Sequence, residues 1–186
     1  MKRIVLLLGL LVVTVLAWSL SGAFRAVELP SYAEVRERYR SSDLVLLDRR
    51  GQAVQQIRVD HDLRSLPWKS LEDCPFDLQQ AVIRAEDHRF HRHSGVDWLA
   101  AAAAARSWLS GGEVRGASTI TMQLVAMLTS ELPSTGRRKS LLQKWLQTRA
   151  AMHLEQNWKK EQILEAYLNL VWFRGELRGI ASAARG

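Results

Sequence analysis

Fourteen residues, Arg84 to Asp97, lie between two helical patterns, and that arrangement sets most of what this chain can become. Upstream, Leu78, Ala81, Val82 and Ala85 recur at i, i+3, i+4 and i+7, the spacing of one helix face. Downstream, Asp97 stands as an N-cap before Trp98, Leu99 and six alanines, Ala100 to Ala105, the residue with the strongest helix preference. Ser94 and Gly95 supply a turn between the two helices. The loop itself holds Glu86, Asp87, three histidines and three arginines counted from Arg84. Glu86 falls one turn beyond Val82, at the edge of the apolar stripe, so it is expected to be half desolvated. Desolvation suits a carboxylate to general acid or base work. On residue types alone the same loop also reads as a solvated connection, and the rest of the chain decides between the two.

A second constraint comes at the amino terminus. Lys2 and Arg3 precede Ile4 to Phe24, a run of 21 residues without a charge. A helix of that length spans ~31 Å, the hydrocarbon thickness of a bilayer. The basic residues ahead of it put the start in the cytoplasm and the remainder outside. A cleaved signal peptide, with Ser21-Gly22-Ala23 as a weak site, is the competing reading. The expected organisation is an anchor over 1–25, a juxtamembrane stalk over 26–43 and a domain over 44–186. The chain has 26 Lys and Arg against 19 Asp and Glu; leaving out Lys2 and Arg3, +5 remains. That excess suggests an anionic partner: phosphate, an acidic lipid surface or nucleic acid. Cys74 is the only cysteine, which excludes an intrachain disulfide, a zinc cluster and a redox pair.

Between anchor and loop, Ser31 to Arg40 reads as a stalk or a short helix. Val45 to Asp48 and Val54 to Val59 flank Arg49-Arg50-Gly51-Gln52, which predicts a β-hairpin with Gly51 in the turn. Asp73-Cys74-Pro75 starts the helix that carries Glu86, with Pro75 at its first position. After the alanine helix, Gly116-Ala117-Ser118-Thr119-Ile120-Thr121-Met122-Gln123-Leu124 predicts a helix capped by Ser118, with Ile120, Leu124, Met127 and Leu128 as its apolar face. Thr119 and Gln123 share its polar face.

With Glu86-Asp87-x-x-Phe90-x-x-His93-x-Gly95-x-Asp97 ahead of it, this second motif resembles the family 51 glycosyltransferases. Those are the peptidoglycan polymerase domains of class A penicillin-binding proteins and of monofunctional transglycosylases. Lys144-x-x-Gln147, Lys160-x-x-Ile163-Leu164-Glu165-x-Tyr167-Leu168-Asn169 and Arg178-Gly179-Ile180-Ala181 fit three further motifs of that family, so the resemblance runs from about Leu44 to the end. Gln147 stands where most members have a second glutamate, Gln143 where they have arginine and Ala126 where many have lysine. Met122 replaces the first of two glutamines. Met122, Ala126 and Gln147 resemble the penicillin-binding protein 1C branch.

The resemblance implies a mainly α, lysozyme-like domain with a small β-hairpin, on one amino-terminal transmembrane helix at the inner membrane. It implies polymerisation of lipid II by inverting transfer, with release of undecaprenyl pyrophosphate. Glu86 and the Gln147 position are the expected catalytic sites. Asp87, Phe90, His93, Thr119, Gln123, Arg138 and Lys144 are expected to bind substrate, and Asp97, Asn169 and Arg178 to support the site. A divalent metal, Mg or Mn, is expected at the pyrophosphate. Expected partners are lipid II, the growing glycan, the bilayer and other wall-synthesis proteins. Apart from the family, a sugar hydroxyl needs a carboxylate base and a departing pyrophosphate needs cations, roles that suit Glu86 and Lys144. The chain stops inside the fifth motif, so further helices are expected beyond it, and no Ser-x-x-Lys of a transpeptidase occurs. Two other readings stand beside the polymerase: an inactive membrane-anchored glycan or lipid II binding fragment, and a lysozyme-like glycan-cleaving enzyme. A nucleic-acid binder fits least, since the basic residues are spread over helices.

Overall fold

The computed structural model describes residues 14–15, 28–111, 116–129 and 141–185. Its elements are α1 (Tyr32–Arg38), β1 (Asp43–Leu47), β2 (Ala53–Arg58), β3 (Arg64–Ser65), α2 (Phe76–Glu86), α3 (Trp98–Leu109), α4 (Ile120–Leu128), α5 (Leu141–Asn157), α6 (Lys160–Leu170), β4 (Leu177–Arg178) and α7 (Ile180–Ala183). The protein is mainly helical with a small hairpin, consistent with a lysozyme-like domain. Among the described residues no helix is long and apolar enough to cross a membrane. The anchor expected over Ile4 to Phe24 lies outside the described residues except for Thr14 and Val15.

The core forms around α4 and α6. Ile163 to Leu170 are eight consecutive buried residues, and Ile120, Thr121, Met122, Leu124 and Val125 are buried on α4. A helix enclosed on all sides carries apolar residues all round, and α6 does so from Ile163 to Leu170 apart from Glu165 and Asn169. Alongside them, α5 contributes Gln147, Thr148, Ala150, Ala151 and Leu154. Lys144, Gln147, Thr148, Ala151 and Leu154 follow helical spacing, so the lysine shares the inward face of α5.

The hairpin forms as expected: β1 and β2 pair antiparallel, with Leu44 opposite Ile57. Gly51 takes φ +76° in the turn, and Asp48 Oδ1 accepts from the N–H groups of Arg50 and Gln52, both at 2.8 Å. A second, parallel pair joins β3 to β4, with Arg64 opposite Leu177. Within the stretch Ser31 to Arg40, read as a stalk or a short helix, α1 forms and packs on the folded body. Ser31 and Glu34 form a capping box for α1, and Val35 enters the core at 8% exposure.

Glu165 explains why α1 docks. Its carboxylate accepts from the Tyr32 hydroxyl, from Trp68 Nε1 at 2.7 Å and from the Leu71 N–H at 2.8 Å. Burial, and then the Glu165 carboxylate, push the Tyr32 phenol up to about 12. One turn on, the Asn169 side chain accepts from the Lys69 N–H and donates to the Lys69 carbonyl, both at 2.8 Å. One helix thereby holds both α1 and the segment leading into α2.

Candidate active site

Glu86 is the last residue of α2, which ends where Asp87 turns to extended backbone, φ −159°. Glu86 is exposed, contrary to the half-desolvated position expected for it. The reason lies in the helix: its buried side chain is Ile83, flanked by partly buried Leu78 and Val82, while Ala81 and Ala85 face outward. Alanine methyls are too small to dictate which face turns inward. Glu86 therefore stands on the wall of an open cavity of about 440 Å³ that Ser118 also lines.

Two bonds define its orientation. Gln123 Nε2 donates to Glu86 Oε2 at 2.9 Å, and the Tyr167 hydroxyl donates to Gln123 Oε1 at 3.2 Å. Burial, and then the charge of Glu86, push the Tyr167 phenol far above its ordinary range. Lys144 Nζ donates to Ser118 Oγ at 2.5 Å, which ties a cation to a residue that lines the same cavity.

Asp87 is buried. His93 Nε2 stands 3.0 Å from each of its oxygens, and its Oδ2 also accepts from the Ile120 N–H at 3.1 Å, at the start of α4. The carboxylate expected to bind substrate thus ties the loop to a helix N-terminus, where negative charge is favoured. His93, expected to meet substrate, is 7% exposed in this pair and braces the loop. Thr119, and not Ser118, is the N-cap of α4: its hydroxyl accepts from the Met122 N–H and donates to the Gly95 carbonyl at 2.6 Å. It lines the same cavity as Glu86 but is only 2% exposed, with its hydroxyl engaged by these two bonds. Phe90, also expected at the substrate, is fully buried under the Lys160 ammonium, 4.4 Å from its ring centre.

Gln147 is 2% exposed and donates through Nε2 to the Met122 carbonyl at 2.5 Å. It joins α5 to α4 inside the core and takes no place on the cavity wall. Asp97 receives Arg89 on both oxygens, at 2.7 and 2.6 Å, and caps α3 through the Ala100 N–H at 2.9 Å. Burial opposes its ionisation, but the Ala100 N–H and the Arg89 guanidinium outweigh that and hold its carboxyl below the usual range. Gly95 takes φ +89°, and a Cβ there would lie 2.6 Å from the Ala151 backbone, so only glycine allows the loop this close to α5. Arg178 pairs within the β3–β4 ladder, its guanidinium 5.9 Å from the Tyr39 ring. Arg138 lies outside the described residues.

Among the described residues no three His, Cys, Asp or Glu side chains group together, and Asp87 has its oxygens engaged. Sequence reasoning missed the cleft role of Ser118 and the reach of Tyr167 to Gln123. Both depend on long-range pairing that no local pattern reports.

The transglycosylase family model matches residues 50–186. A biosynthetic peptidoglycan transglycosylase of Mannheimia succiniciproducens is 35% identical over 130 residues, 69% of this chain and 51% of that protein. One from Haemophilus influenzae is 39% identical over 119 residues, 63% of this chain and 48% of that protein. Penicillin-binding protein 1A of Vibrio cholerae is 32% identical over 161 residues, 85% of this chain and 18% of that protein. The chain spans about half the length of the transglycosylases it matches.

Proposed function

The chain belongs to the transglycosylase family, family 51 of the glycosyltransferases, and from that premise we propose that it polymerises lipid II into glycan strands. Glu86 takes the proton of the acceptor sugar hydroxyl as that oxygen attacks the donor's anomeric carbon. The bond to the pyrophosphate breaks on the opposite face, so the configuration inverts and undecaprenyl pyrophosphate leaves with the electron pair. Lys144, seated on Ser118, meets the charge that grows on the departing phosphate. A divalent ion at the pyrophosphate would be carried by the donor's own oxygens, since Asp87 is engaged elsewhere.

The observation that carries this reading is the exposed Glu86 carboxylate, with Oε2 held by Gln123, lining one cavity with the Ser118 that Lys144 holds. The uncharged run over Ile4 to Phe24 supports a single-pass anchor, amino terminus cytoplasmic, that keeps the domain at the outer face of the inner membrane. A donor whose lipid tail stays in the bilayer requires a cleft close to that surface. Other wall-synthesis proteins would be neighbours there.

The test is incubation of the detergent-solubilised chain with labelled lipid II and a divalent cation, with glycan products resolved on a gel. Polymer is expected, and Glu86→Gln is expected to lower its rate by 10²–10⁴-fold, the usual worth of a general base. Full polymerisation by Glu86→Gln would remove Glu86 from this role. Lipid II binding without polymer would identify an anchored binding module, and release of fragments from intact wall would identify a cleaving enzyme.

A further inference from the structure

Tyr167 has the spacing of a core residue, with Ile163, Leu164 and Leu168, and it is 3% exposed. Its hydroxyl nevertheless reaches out of the core to Gln123 Oε1, while the other end of that amide donates to Glu86. We propose that Tyr167 is a positioning residue for the reaction: by holding Oε1 it fixes the Gln123 amide with its NH₂ toward Glu86, and so keeps the base an oriented carboxylate. The proposal rests on the polymerase reading for the naming of Glu86 as base. The hydrogen-bond chain stands on geometry alone.

The argument is one of donor and acceptor matching. A carboxylate only accepts, so the amide face that suits it is the NH₂. Turned over, the amide would set its carbonyl oxygen against the carboxylate, two acceptors in opposition. That arrangement repels the carboxylate from the orientation in which it can take up the acceptor's proton. A donor on Oε1 stabilises the productive orientation, and bonds in such a chain polarise one another. Without the hydroxyl, Oε1 would lose the donor that sets the amide's orientation. The hydroxyl keeps its proton throughout the neutral range, because burial and the nearby negative charge both oppose its loss.

The experiment is a double-mutant cycle on the full chain with labelled lipid II. Initial rates are measured over substrate concentration for wild type, Tyr167→Phe, Gln123→Ala and the double variant. Tyr167→Phe is expected to lower kcat about tenfold, the worth of one such hydrogen bond, with KM changed less than about twofold. In the Gln123→Ala background the same change is expected to add less than about twofold, because its route to Glu86 is already gone. An equal loss in both backgrounds would assign the hydroxyl to folding alone and overturn the proposal, as would an unchanged kcat in the single variant.

A second readout does not depend on activity. The Gln123 side-chain ¹⁵N–¹H₂ signals of the micelle-bound chain are expected as two distinct, slowly exchanging lines that collapse or shift in Tyr167→Phe. Unaltered signals overturn the proposal even where polymerisation is robust. A wild-type chain that makes no polymer defeats the polymerase reading instead, and these signals still decide the hydrogen-bond chain.

Discussion

Glu86 and Glu165 are two glutamates on helices, each linked to a tyrosine, yet the fold treats them oppositely. Glu165 is 9% exposed and accepts from Tyr32, Trp68 and the Leu71 backbone. Glu86 is exposed and accepts only from Gln123, and among the described residues its Oε1 takes no hydrogen bond. A buried carboxylate whose acceptor capacity is filled becomes a joint between segments. One that keeps an oxygen open, while a single bond fixes its direction, stays available for proton transfer. Asp87, adjacent to Glu86, belongs with Glu165 in this respect, which is why two neighbouring acidic residues in one motif have different tasks.

The sharpest way to break this contrast is to exchange what each variant costs. Glu165→Ala leaves three donors without their acceptor and is expected to lower stability by about 2–4 kcal/mol, read by denaturant unfolding in micelles. Glu86→Gln, the variant expected to stop polymerisation, should unfold like wild type. Equal unfolding of Glu165→Ala and wild type would erase the distinction.

A smaller effect is expected at Gln147. Gln147→Glu restores the residue usual in the family but replaces a donor to the Met122 carbonyl with an acceptor. The expected outcome is a loss of about 1–2 kcal/mol with no gain in polymer yield. A faster enzyme of unchanged stability would return this position to the chemistry.

The smallest effects are those of pH, and they come from opposite sides. Asp97 has a folded pKa held below the unfolded ~3.9, so its contribution is complete above that value and is lost as pH falls through the lower folded one. Melting temperatures of wild type and Asp97→Asn should therefore converge on acidification. Tyr32 has a folded pKa raised to about 12. Its bond to Glu165 contributes fully below the unfolded ~10 and is lost as pH rises toward 12, so Tyr32→Phe should converge with wild type in alkali. Convergence of both variants at the same end would contradict the assignment of one to the loop and the other to the joint at Glu165.

Much of the fold was legible where the pattern is local. The hairpin, the Asp97 cap, the turn at Gly95 and the apolar face of α6 all follow from neighbours in sequence. The family resemblance, carried by spacing, agrees with the match over 50–186. Which polar side chains turn inward was not legible. Thr119, Asp87 and Gln147 are polar residues whose partners lie 24 to 33 positions away, and a helix period cannot distinguish a polar group facing a cleft from one satisfied inside. The two-residue ladder of β3 with β4 is too short for any alternation to mark it. The docking of α1 rests on a side chain 133 residues away.

Glu165 and Tyr167 sit two residues apart on α6, roughly 3 Å along its axis and about 200° around it. One grips α1 and the other grips Gln123. From Ile163 to Leu170 the helix is enclosed, so one short, packed shaft carries both arms and sets the spacing between the seat of α1 and the amide beside Glu86.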